Sequence, residues 1–201
     1  MEKKIATFLS YILHPLLAPV AGILILTHSG TYIADLNDDI KNLIYLTVGT
    51  LTLVLPVCLI PFYMYFKIIR NIEIGERHER LMPLYITLLS YLCAYFLIRR
   101  LPVSQLYGRF LLAACLTILI TLLVSNFWKI SAHMTGLGGL SGLVLALSKK
   151  LGADMLMFLL IFLILSGLAG YARMRLNAHS GIQVLMGYLT GLLTVFIFML
   201  I

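Results

Sequence analysis

The sequence predicts an all-α fold: a multi-pass transmembrane helical bundle of six or seven membrane helices, built as a single domain over residues 1–201. Two observations lead there. The chain is 61% hydrophobic and only 11% charged, with a mean hydropathy of +1.02, whereas soluble domains are closer to half apolar and a quarter charged. Its apolar residues also gather into runs near the length of about 20 that an α-helix needs to cross a bilayer. No polar stretch between the runs is long enough to bury a core, which excludes a separate soluble domain.

The first run, Ile5 to Thr27, is too long for the apolar region of a cleaved signal and contains Pro15 and Pro19, so it reads as the first helix. The link from His28 to Lys41, with Asp35, Asp38 and Asp39, reads as a solvated loop. A second run covers Leu43 to Phe66. The link after it, Lys67 to Met82, is dense in charge, and Glu73, Glu76 and Glu79 beside Arg77 and Arg80 have the i,i+3 and i,i+4 spacing of a charged helix end. The third run, Pro83 to Ile98, is short and ends at Arg99-Arg100-Leu101-Pro102. The fourth, Leu106 to Phe127, leads into Trp128 and Lys129. The fifth, Leu137 to Leu147, is short and rich in small residues, which predicts a sheltered or only partly spanning helix. Lys149-Lys150-Leu151-Gly152 separates it from the sixth, Met155 to Tyr171, and the seventh is Ile182 to Ile201.

Two small-xxx-small pairs, Gly138/Gly142 and Gly187/Gly191, predict close helix contact, because lipid supplies no hydrophobic drive and close backbone approach must replace it. The contact lies either within one chain or between two copies, so a homodimer is one option. A net charge of +7 suits a nucleic acid only where a soluble basic face exists, and none does here. The partners expected instead are membrane lipids, including anionic ones, and a phosphorylated lipid substrate. Cys58, Cys93 and Cys115 lie inside apolar runs without the pairing of a metal or redox motif and read as packing residues. His14 and His28 read as hydrogen-bonded packing residues as well.

The chemistry gathers in two clusters at apolar boundaries. One is Ala172-Arg173-Met174-Arg175-Leu176-Asn177-Ala178-His179, followed by Gln183 and Gly187; the other is Lys129-Ile130-Ser131-Ala132-His133. Cations at a membrane edge are costly unless something anionic meets them. If all seven runs cross, the second, fourth and sixth links fall at one end with the N-terminus. That brings Arg77, Arg80, Lys129, Ser131, His133, Arg173 and His179 together. A helix beginning near Met134 would also aim its positive dipole end at the Ser131–His133 position. Phosphoryl transfer needs a nucleophile, an acid for the leaving oxygen and fixed positive charge on the phosphate oxygens. Histidine suits the first two near neutral pH, and arginine suits the third.

The arginine–histidine stretch resembles the third signature of the type 2 phosphatidic acid phosphatase superfamily: Ser-Arg, five residues, His, three residues, Asp. Arg173 and His179 stand at that separation, with Ala172 in place of the Ser and Gln183 in place of the Asp. Gly187 matches a glycine often found four residues after the acid. Ile130-Ser131-Ala132-His133 resembles the second signature, Pro-Ser-Gly-His. For the first, Lys, six residues, Arg-Pro, Arg70 and Arg77 have the spacing, but Arg80, upstream of Pro83, is preferred and Arg77 comes next.

The resemblance implies a metal-independent membrane phosphatase, without a cofactor, that removes phosphate from a lipid phosphate or diphosphate. A polyprenyl diphosphate such as undecaprenyl diphosphate leads as substrate, with glycerophospholipid phosphates close behind. His179 would be the nucleophile, His133 the acid, and Gln183 the residue that orients His179. Arg173, Ser131, Lys129 and one of Arg80 or Arg77 would hold the phosphate. The implied location is the cell membrane, in a bacterium the inner one. Gln183 can accept a histidine N–H bond but carries no charge, so the alternatives are a homologue that binds a phosphorylated lipid without turning it over, or a small anion or lipid transporter.

Overall fold

The computed structural model describes residues 2–70 and 78–201, and over them the chain is an all-α, multi-pass membrane bundle without a strand. Among the described residues six stretches are long and apolar enough to cross a membrane: Glu2–Thr27, Asp38–Tyr65, Leu81–Ile98, Gln105–Ser125, Leu156–Arg175 and Gly181–Leu200. Many large apolar side chains on them face outward, among them Phe8, Phe62, Phe96, Leu156, Ile164 and Ile197. In water such a surface would be an aggregation liability; against lipid tails it is the expected one.

Prolines divide the first two stretches. The first contains α1 (Glu2–Ile12) and α2 (Ala18–Thr27), with a 3₁₀ turn at Pro15–Leu17 between them. The second contains α3 (Asp38–Val48), a π-helical turn at Gly49–Val54, α4 (Leu55–Cys58) and α5 (Ile60–Tyr65). In an i→i+5 pattern the Leu51 carbonyl would pair with residue 56, which is a proline with no N–H to give. The Ser90 hydroxyl donates to that carbonyl instead.

The remaining helices are α6 (Leu81–Ile98), α7 (Gln105–Ser125), α8 (Ala132–Leu151), α9 (Leu156–Arg175) and α10 (Gly181–Leu200). The helix α8 covers the short fifth run and extends it at both ends. It is the sheltered element: residues from Met134 to Leu147 are mostly buried, with α10, α9 and α2 packed around them.

Glycine makes the α8–α10 contact possible. A Cβ at Gly138 would overlap the Tyr188 carbonyl, and one at Gly142 would overlap that of Leu192. From the other side, a Cβ at Gly191 would overlap the Thr135 carbonyl, and one at Gly187 would lie 2.7 Å from that of Ser131. The two small-xxx-small pairs therefore face each other within one chain. At the far end Lys150 Nζ donates to the Met199 and Leu200 carbonyls, at 3.0 Å each. It satisfies acceptors that the last turn of α10 leaves open.

Candidate functional site

Three helices begin around one corner of the bundle. Arg80 is the N-cap residue of α6, Ser131 that of α8 and Ser180 that of α10. Each helix start turns the positive end of a dipole towards this corner, which favours an anion there.

The turn between α9 and α10 carries His179 and is fixed by two motifs. Asn177 takes a left-handed conformation at φ 52°. The Asn177 N–H donates to the Met174 carbonyl at 2.9 Å and the Ala178 N–H to the Arg173 carbonyl at 3.0 Å, a Schellman closure of α9. Immediately afterwards Ser180 and Gln183 form a capping box on α10, and the Ser180 N–H donates to Gln183 Oε1 at 3.1 Å. The same Oε1 accepts from His179 Nδ1–H at 3.2 Å. One amide oxygen thus closes the helix start and sets the histidine ring, leaving the Nε2 lone pair on the other side.

Arg80 Nη1 lies 3.5 Å from that Nε2. His179 is only 6% exposed. Burial and the nearby guanidiniums of Arg80 and Arg173 push its pKa down to about 3, so the ring is neutral at physiological pH. Burial, with Arg173 adding to it, lowers Arg80 to about 10, which leaves it a cation.

A cavity of about 470 Å³ opens on this corner. Its wall includes Arg80, Lys129, His133, Arg173 and His179, five residues read from the sequence as site residues and drawn from three separate links. Gln183 stands behind His179, outside the wall. Ser131 is also outside it: the residue is fully buried, and its hydroxyl has no hydrogen-bond partner among the described residues. Arg77, Glu73 and Glu76 lie outside the described residues. Arg70 pairs with Glu79 at 3.6 Å, is largely exposed and is not part of the wall. Arg175 pairs with Glu2, which ties the start of α1 to the end of α9.

The N-terminal helix supplies residues that sequence reasoning left out. Thr7, Ser10, Tyr11 and His14 line the cavity. His133 Nε2–H donates to the Ser10 carbonyl at 3.0 Å, and Arg173 Nη1 lies 3.5 Å from Ser10 Oγ. His14, read as a packing residue, stands edge-on to His133 with ring centroids 5.5 Å apart. His28 keeps to its own helix, 3.0 Å from the Leu24 carbonyl, and does not line the cavity. His14 lies inside the first apolar run, directly before Pro15, whereas His28 follows that run, and the packing of α1 against α9 brings His14 inward.

Away from the basic corner the cavity wall turns apolar and hydroxylic, with Leu84, Tyr91, Phe110, Thr117, Ile118 and Val195. The whole is an amphipathic pocket, basic at one end and oily at the other. The chain matches no protein-family model, no curated protein and no solved structure.

Proposed function

We propose that this protein is a metal-independent membrane phosphatase of the type 2 phosphatidic acid phosphatase kind, acting on a lipid phosphate or diphosphate at the cell membrane. One observation carries the reading: a buried neutral His179 has its Nδ1 on an amide oxygen and its Nε2 beside Arg80, in a cavity shared with Arg173, Lys129 and His133. A neutral imidazole with a positioned lone pair is a nucleophile, and the surrounding cations suit a phosphoryl group.

The steps follow from the positions. The His179 Nε2 lone pair attacks phosphorus, and the bond to the lipid oxygen breaks with its electron pair on that oxygen. His133, in its protonated form, gives that oxygen a proton. Water then attacks phosphorus and yields a proton to His133, the Nε2–P bond breaks with its electron pair returning to His179 Nε2, and inorganic phosphate leaves. Arg80, Arg173 and Lys129 balance the charge of the phosphate oxygens throughout, which is the role a metal ion would otherwise fill. The apolar part of the cavity suits the lipid chain of the substrate, and a polyprenyl diphosphate is the leading candidate ahead of phosphatidic acid and phosphatidylglycerol phosphate.

Purified protein in detergent micelles should release phosphate from one of these lipids, with chelator leaving the rate unchanged. His179→Ala should abolish release; activity that persists in that variant overturns the mechanism. A second reading, a protein that holds a phosphorylated lipid without turnover, is favoured by the uncharged amide at Gln183. It predicts saturable lipid binding with no phosphate released.

A further inference from the structure

We infer that the break between α1 and α2 is a working part of the site, where the backbone carbonyl of Ser10 orients His133 and His14 flanks it. The consequence for turnover rests on the phosphatase reading; the orientation itself does not.

The break follows from one residue. Pro15 has no N–H, and it disfavours helical geometry at the residue before it. His14 accordingly sits at φ −64° and ψ 135°, and α1 ends at Ile12. In an unbroken helix the Ser10 carbonyl would accept from the His14 N–H. Here it accepts from His133 Nε2–H at 3.0 Å, across 123 positions of sequence. His14 stabilises the turn itself: its Nδ1 accepts from the Leu16 N–H at 3.4 Å, so its own proton is on Nε2.

The result is a matched pair. An amide oxygen holds each site histidine by one nitrogen: Gln183 Oε1 takes Nδ1–H of His179, and the Ser10 carbonyl takes Nε2–H of His133. What remains on His179 is Nε2, the attacking atom. What remains on His133 is Nδ1, the atom that carries a transferable proton when the ring is protonated. Burial and the nearby Arg173 hold the His133 pKa well below its ordinary value, and the carbonyl acceptor works against them in favour of the protonated form, in which both ring nitrogens are donors. The ring of His14 meets that of His133 at 76°, limiting its rotation. Arg173, which reaches the Ser10 hydroxyl, is held by the same turn. Ser10 and His14 are therefore positioning residues, acting on the acid and not on the nucleophile.

The test uses the full chain in micelles, labelled with ¹⁵N-histidine. In the native protein the His133 resonance, assigned by its loss in His133→Gln, should be that of the Nε2–H tautomer. The Nδ1–H tautomer, or an even mixture, overturns the inference. Pro15→Ala frees His14 to compete for the Ser10 carbonyl and should shift His133 towards a mixture. Kinetics supply the second readout, since a displaced acid matters only where the leaving oxygen needs a proton. With an alkyl phosphate, kcat of Pro15→Ala and of His14→Ala should fall by about 10-fold or more. With p-nitrophenyl phosphate, whose leaving group departs as a stable anion, the fall should be several times smaller. An equal fall on both substrates contradicts a role through the acid. If the native protein hydrolyses neither substrate, the phosphatase reading fails, and the tautomer of His133 alone decides the orientation.

Discussion

Replacing Gln183 with glutamate isolates the charge at the centre of the site. The side chain keeps its length and both acceptor bonds, from His179 Nδ1–H at 3.2 Å and from the Ser180 N–H at 3.1 Å. A full negative charge at that distance from an imidazolium is worth about 5 kcal/mol at an effective dielectric of about 20. Burying the new carboxylate offsets part of this, and carboxylates beside titrating groups typically shift them by about 1–3 units. His179, held down to about 3 by burial and by Arg80 and Arg173, should therefore rise to about 4–6 in Gln183→Glu. It would remain mostly neutral at pH 7, yet be more basic and a better nucleophile, so on the phosphatase reading phosphate release should quicken. The measurement is a histidine NMR titration of both proteins in micelles, with His179→Ala for assignment. A His179 that titrates at the same pH in both proteins would refute the geometry, because no charge 3.2 Å away can leave it unmoved.

Three further outcomes follow from the structure. Gly191→Val puts a side chain into the Thr135 carbonyl and should cost about 1–3 kcal/mol by overpacking, read as a lower melting temperature in detergent; Gly167→Ala, whose Cβ meets nothing within 4 Å, should be neutral or slightly stabilising. Stability should decline as pH falls from about 6.5 towards about 3, because the unfolded chain takes up a proton that buried His179 refuses. The slope from this one group approaches about 1.4 kcal/mol per pH unit, and His179→Phe should remove that share; an unchanged slope in the variant would count against a buried neutral ring. Lys150→Met should lower stability by about 0.3–1 kcal/mol and speed hydrogen exchange in the last turn of α10, whose Met199 and Leu200 carbonyls it leaves bare; exchange confined to its native rate would show that the lysine does no capping.

Several site relations were legible without coordinates because they are local or follow from counting. Arg173 and His179 are joined by a single turn, and the Ser180–Gln183 capping box, a Ser-x-x-Gln pattern that sequence reading passed over, is local too. Links 80, 129–133 and 173–179 alternate with apolar runs, so they had to meet at one end if every run crosses. The small-residue pairs announced a close contact, but their spacing is the same whether the partner is the same chain or another copy.

By itself the sequence determined that this is an all-α membrane bundle, because mean hydropathy and the length of apolar runs are sums over neighbours along the chain. It also determined the chemical character of the site, through two arginine- or lysine-bearing clusters with one histidine each. The tertiary structure placed Arg80, which the sequence already favoured, at His179, and it alone decided that Ser131 lies outside the cavity wall and that His14 enters it. Those outcomes depend on how α1 lies along α9 and how closely α8 approaches α10. Such packing is set by contacts between residues far apart in sequence, and no run, period or spacing encodes them locally. The basic corner is thus written in the chain, but the partners of its two histidines, the Ser10 carbonyl above all, exist only once the helices have met.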